Sequence, residues 1–149
     1  MTAVQLRNLL RKAAAAVGKT MTYSYERAVA KNFLDAVTLT RQALSDHGFG
    51  IITEIDVKAT LKKKLNVDFD DYLILGACHP GSAFKILQVE LKLGLFMPCN
   101  VNVYRKNGST YVAAMMPSIA TKFTTNKNVA EIAADVEERL VAVVNQATL

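Results

Sequence analysis

Two cysteines in 149 residues are too few for a disulfide framework, and their scarcity suits a reducing, cytoplasmic setting. No stretch approaches the roughly 20 apolar residues of a transmembrane helix. C-x-x-C, H-x-x-x-H and G-x-S-x-G spacings are absent, which removes the common metal-site and hydrolase signatures. There is no internal repeat and no low-complexity segment. What is present, 51% hydrophobic and 21% charged residues, argues against disorder and for one globular domain. The net charge of +5 favours solubility and weak contact with polyanions, but without more it does not indicate a nucleic-acid binder.

The first residues stand apart. Arg7, Arg11, Lys12 and Lys19 precede any acid, and Leu6, Leu9, Leu10, Ala13 and Val17 recur at helical spacing, so a basic amphipathic helix is expected over 1–18. The apolar run Ala13 to Val17 is too short for a secretory signal. The remaining residues, 19–149, read as one α/β domain. Residues 20–26 alternate as a half-buried strand, and a helix is expected from Ala28 to His47 with Gly48 as a left-handed cap and His47 in solvent. Residues 49–56 form a second strand with Phe49, Ile51 and Ile55 inward and Glu54 and Asp56 opposite. Asp56 is placed to cap a short lysine-rich helix, 57–65, whose charge Asp68, Asp70 and Asp71 nearly cancel. No aromatic residue is interleaved with those lysines, which disfavours nucleic acid.

The run Tyr72 to Cys78 is a third strand, broken by His79-Pro80-Gly81-Ser82, which opens a short helix expected to end just before Gly94 with Ala83, Ile86, Leu87 and Leu91 inward. Residues 96–105 alternate again, Asn107-Gly108 signals a two-residue hairpin, and a fifth strand runs to Pro117. A loop is expected over 118–127. Asn128 with Glu131 resembles a capping box opening a last helix with Val129, Ile132, Val136, Leu140 and Val143 on its core stripe.

Gly48-Phe49-Gly50-Ile51, Thr53 to Val57, Ala59 to Lys62, Ile74 to Cys78 with Pro80, and Pro98 to Val101 with Tyr104 together resemble the domain of unknown function 302 family, over about residues 21–117. The resemblance implies an α+β fold, a two-layer sandwich with a curved, mostly antiparallel five-stranded sheet. Its β-α-β4-α core carries short helical inserts, and no reaction is implied. His79 stands where the family pattern has Asn, and the basic N-terminal helix is an addition to it.

Patterning leaves open whether the third and fourth strands are parallel or antiparallel. The resemblance favours antiparallel, which brings Cys78 and Cys99 to one edge of the sheet. Cys78 then lies before a helix N-terminus whose amides at Gly81, Ser82 and Ala83 favour negative charge. Cys78, His79 and Cys99, with Met97 nearby, offer donors for a soft metal such as copper(I) or zinc, and Asn100 a donor and an acceptor. Free cysteines also pack as small hydrophobes. The leading expectation is a non-enzymatic, homodimeric module binding a small molecule, anion or soft metal at Cys78, His79, Gly81, Ser82, Cys99 and Asn100. The alternatives are a thiol-dependent enzyme or redox protein using Cys78, and an interaction module acting through the N-terminal helix.

Overall fold

The computed structural model describes residues 22–149 together with Thr2, Val4 and Gln5. The helix expected over 1–18 therefore lies, those three residues apart, outside the described residues. Five strands, β1 (Ser24–Val29), β2 (Gly50–Asp56), β3 (Tyr72–Cys78), β4 (Cys99–Lys106) and β5 (Ser109–Met115), form one sheet in the order β1-β5-β4-β3-β2. Every neighbouring pair is antiparallel. Helices α1 (Phe33–Asp46) and α4 (Lys127–Ala147) cover one face, while α2 (Val57–Leu65) and α3 (Pro80–Val89) are the short inserts. This is an α+β two-layer sandwich, and the strands following α1 run consecutively across the sheet.

The core lies between the sheet and its two long helices. Leu75, Val101, Val103, Val112 and Ala114 project from alternate strand positions against Ala36, Leu44, Val136, Leu140, Val143 and Val144, all essentially buried. Helices α1, α2 and α4 each begin where a short polar side chain accepts from the first turn, whereas α3 opens at Pro80 without such a cap. Asn32 accepts from the Asp35 amide at 2.9 Å, and Asp56 accepts from the Ala59 amide at 2.9 Å, the cap expected from the sequence. Asn107 and Gly108 both have positive φ, 51° and 79°, as a tight hairpin with the right twist requires.

Several expectations are corrected. β1 runs on to Val29, so α1 starts five residues later than the periodicity suggests, and the buried Val29 belongs to the strand. His47 is half-buried, with Nε2 3.0 Å from Gln146 Oε1, which ties the ends of α1 and α4 together. β2 carries a bulge between Ile51 and Thr53. Beyond it every side chain changes face: Glu54 and Asp56 lie opposite the helix-facing Leu75 and Leu73, Glu54 pairs with Arg41 of α1, and Ile55 turns to the open face, 47% exposed. α3 stops at Val89 and a 3-10 turn over Leu91–Phe96 follows, so Leu93 is buried and Leu91 is exposed. A second 3-10 turn, Pro117–Lys122, occupies the expected loop. The cap of α4 is Asn126, whose side chain accepts from the Asn128 amide at 3.1 Å, so no capping box with Glu131 forms.

Candidate functional site

The antiparallel β3–β4 pair settles the geometry that patterning leaves open. Ala77 is opposite Cys99, so Cys78 at the end of β3 and Cys99 at the start of β4 share one end of the sheet. Gly76 is needed beside them. A Cβ there would lie 1.9 Å from Thr53 Oγ1 and 2.8 Å from Pro98 Cγ, so the bare backbone lets both side chains close over the strand. The Met97–Pro98 peptide is cis. Past Cys78, His79 remains extended and Pro80 opens α3 without an amide hydrogen to satisfy. The Ala83 amide, expected to be free, donates to the His79 carbonyl at 3.0 Å as the first bond of the helix. Gly81 and Ser82 hold the remaining amides of that turn.

A cavity of about 370 Å³ opens at this end, between the sheet, α3, the two 3-10 turns and the first half of α4. Of the residues singled out in the sequence, Cys78, His79, Ser82 and Cys99 line it, as does Met97. Gly81 and Asn100 do not: Gly81 is exposed, and Asn100 pairs with Gly76 on the open face of the sheet. The rest of the wall is apolar, and much of it escapes a reading focused on chemically reactive residues. Ile86 and Leu87 of α3, Leu93 and Phe96 of one turn, Pro117 and Ala120 of the other, and Val129, Ile132, Ala133 and Val136 of α4 enclose the space. A signal for it exists in the small residues Ala77, Ala83, Ala120 and Ala133, which come from four elements and meet across a gap.

The polar content of the cavity is one pair. His79 Nδ1 lies 2.9 Å from Ser82 Oγ, with Ser82 only 8% exposed. The imidazole packs edge-on against Phe49, ring centroids 5.6 Å apart, and its other edge lies over Gly48, whose φ of 82° matches the left-handed cap expected there. Among the described residues no hydrogen bond joins either thiol to His79, and no carboxylate lines the cavity. The Ser82–His79 pair therefore lacks the third, orienting group of a nucleophilic triad. Burial, reinforced by the neighbouring Cys78, pushes the Cys99 thiol up to about 11, so it is a protonated, uncharged part of the wall at neutral pH. Among the described residues no three His, Cys, Asp or Glu side chains are grouped to hold a metal ion, so Cys78, His79 and Cys99 make no closed soft-metal site by themselves. The arrangement can enclose an apolar molecule and offer it a hydroxyl–imidazole pair.

Among curated proteins none matches the chain. Among solved structures, the crystal structure of an uncharacterized conserved protein DUF302 from Bacillus stearothermophilus is similar, with 29% identity, a TM-score of 0.79, and coverage of 85% of this chain and 98% of that one. The family described as domain of unknown function DUF302 matches residues 25–147, from β1 to the last turn of α4. This protein belongs to the DUF302 family.

Proposed function

We propose that the protein is a non-enzymatic binding module whose ligand is a small, mostly apolar molecule with one hydrogen-bonding group. The observation that carries this is the cavity of about 370 Å³, apolar except for Ser82 and His79. Ligand pockets have this size and this mixture of apolar wall and a few convergent polar groups. At about 30 Å³ for each water-sized group, the space suits roughly a dozen non-hydrogen atoms. Ser82 and His79 are placed to bond the ligand's polar end. The apolar wall and the uncharged Cys99 favour dispersion and desolvation over ion binding. On this reading both cysteines act through their packing, and Cys78 is a wall residue.

The test is titration with the small apolar fluorophore 1-naphthylamine, followed by displacement with a medium-chain alcohol. The expected result is saturable binding at one site per chain, displaced by the alcohol, with Ser82→Ala weakening the alcohol more than the fluorophore. Absence of saturable fluorophore binding to the folded protein would overturn the reading.

A further inference from the structure

The outer surface of the two turns that wall the cavity is the most exposed apolar ground around it. Leu91 is 80% exposed, Leu95 87% and Phe123 68%. They belong to one patch because the turns are bound side by side. Leu93 packs with Ala120, Phe96 stacks on Phe123 with ring centroids 5.7 Å apart, and Thr124 Oγ1 donates to the Glu90 carboxylate. A side chain as apolar as Leu95 standing almost wholly in water is tolerated singly, but three on adjoining turns mark a contact surface.

The free charge carried by the two turns themselves is positive. From Gly81 to Ala130 the sequence contains one acid, Glu90, and that carboxylate is engaged by Thr124. The exposed cations on the two turns are Lys92 and Lys122, with Lys85 on α3 and Lys127 at the start of α4. On α4, which packs against the second turn, Glu137 accepts the Ser118 amide and Asp135 pairs with Arg139. Glu131, a turn into that helix, and Glu138 are its remaining acids, both exposed. Protruding apolar side chains with exposed lysines on the same two turns match an anionic lipid surface: the apolar groups enter the headgroup–acyl boundary while the lysines meet the negative headgroups. No described helix is long and apolar enough to cross a membrane, so such contact is peripheral.

We infer that the surface formed by Leu91, Leu95 and Phe123 with Lys92 and Lys122 docks this protein onto an anionic membrane surface. The cavity wall lies directly behind it, since Leu93, Phe96 and Ala120 of the same turns face inward to the cavity. Docking there puts the cavity beside the phase in which apolar molecules concentrate. The source of the ligand is thus the bilayer, a step that goes beyond the binding reading and is tested separately from it.

The experiment is co-sedimentation of the full chain with phosphatidylcholine vesicles with and without about one-third phosphatidylglycerol. Because Arg7, Arg11, Lys12 and Lys19 supply a second cationic segment, the comparison is between substitutions in the full chain. Leu95→Asp and Phe123→Asp are expected to lower the bound fraction at least about fivefold, and Lys92→Glu with Lys122→Glu to reduce the preference for anionic vesicles. Lys63→Glu with Lys64→Glu on α2, the same charge change on another element, is expected to have a much smaller effect. Circular dichroism establishes that each variant is folded. Equal binding by Leu95→Asp and the parent chain overturns the inference. So does light scattering in which Leu95→Asp converts an oligomer to a monomer while vesicle binding is unchanged, because the patch is then an interface between copies. Fluorophore binding is read on the same variants: if it persists when vesicle binding is lost, cavity and docking surface are separate features. If it is absent throughout, the binding reading fails and the docking result stands by itself.

Discussion

Filling the cavity from its helical wall is the sharpest perturbation of the proposed ligand space. Ala133 is 5% exposed and borders the cavity from α4. Ala133→Leu adds three carbons, roughly 90 of the 370 Å³ at about 30 Å³ each. Burying them contributes about 0.8 kcal/mol apiece, near 2.4 kcal/mol in all. Fixing the leucine rotamer costs about 0.5–1 kcal/mol, and the small loss of helix propensity a few tenths more. The net expectation for the ligand-free protein is a stabilisation of about 1–1.5 kcal/mol, or a rise in Tm of roughly 3–5 °C by calorimetry. The same leucine excludes contacts equivalent to several methylenes from any ligand, so fluorophore affinity should fall by more than about tenfold. Stability and binding should therefore move in opposite directions, which neither a damaged fold nor an inert surface change produces. Ala120→Leu approaches the same space from the second 3-10 turn and should reproduce the pattern. A fall in Tm with unchanged fluorophore binding in both variants would refute the reasoning, because the added side chains would then be colliding with wall instead of filling space.

Three further outcomes follow from the geometry. With Cys99 shifted to about 11, the folded protein holds that proton while the unfolded chain releases it near the ordinary thiol value. Stability is therefore expected to decline as pH rises from 9 to 11, by up to about 2–3 kcal/mol in denaturant titrations, and Cys99→Ser should flatten that slope. Gly76→Ala should cost about 1–3 kcal/mol through its collision with Thr53 and Pro98, and Thr53→Ala should recover part of the loss in a double-mutant cycle. Asp56→Ala removes the acceptor for the Ala59 amide and should lower stability by about 1 kcal/mol, seen as a lower urea midpoint with an unchanged m-value.

What could be read from the sequence was local chemistry and topology. Asp56 announces a cap because a short carboxylate precedes a helical pattern, and Asn107-Gly108 announces a hairpin because both residues accept positive φ. The joining of Cys78 to Cys99 follows from an antiparallel β3–β4 pair, which patterning leaves open and the family resemblance implies. The failures share a cause, a change of period that no single residue marks. The bulge in β2 inserts one residue and reverses the faces of Glu54 and Ile55, although both sides of the strand carry apolar and polar groups. The 3-10 turn after α3 shortens the repeat, which buries Leu93 and exposes Leu91. Among the residues that line the cavity, Cys78, His79, Ser82 and Cys99 are legible in the sequence because their chemistry is distinctive. Gly81 and Asn100 were displaced by orientation, a property set by strand pairing and helix pitch. The cavity itself is missing volume between alanines from four distant segments, and volume is not written at any one position.

The strand order has a consequence for the sequence of events in folding. β1 and β2 are close in the chain but occupy opposite edges of the sheet, with α1 carrying the chain from one to the other. The partner of β1 is β5, which follows it by roughly 80–90 residues, so closing that pair carries a large loop-entropy cost that local contacts cannot offset. During synthesis β2, β3 and β4 can zip in the order they appear, whereas β1 emerges first and is paired last. Until β5 arrives, the apolar side of α1 and the hydrogen-bonding edge of β1 lack their final partners. Completion of the fold therefore waits on its C-terminal third, the same segment that supplies the α4 wall of the cavity. A chain interrupted before β5 would present an unpaired strand and no finished cavity, and the ligand space closes only once α4 has followed β5.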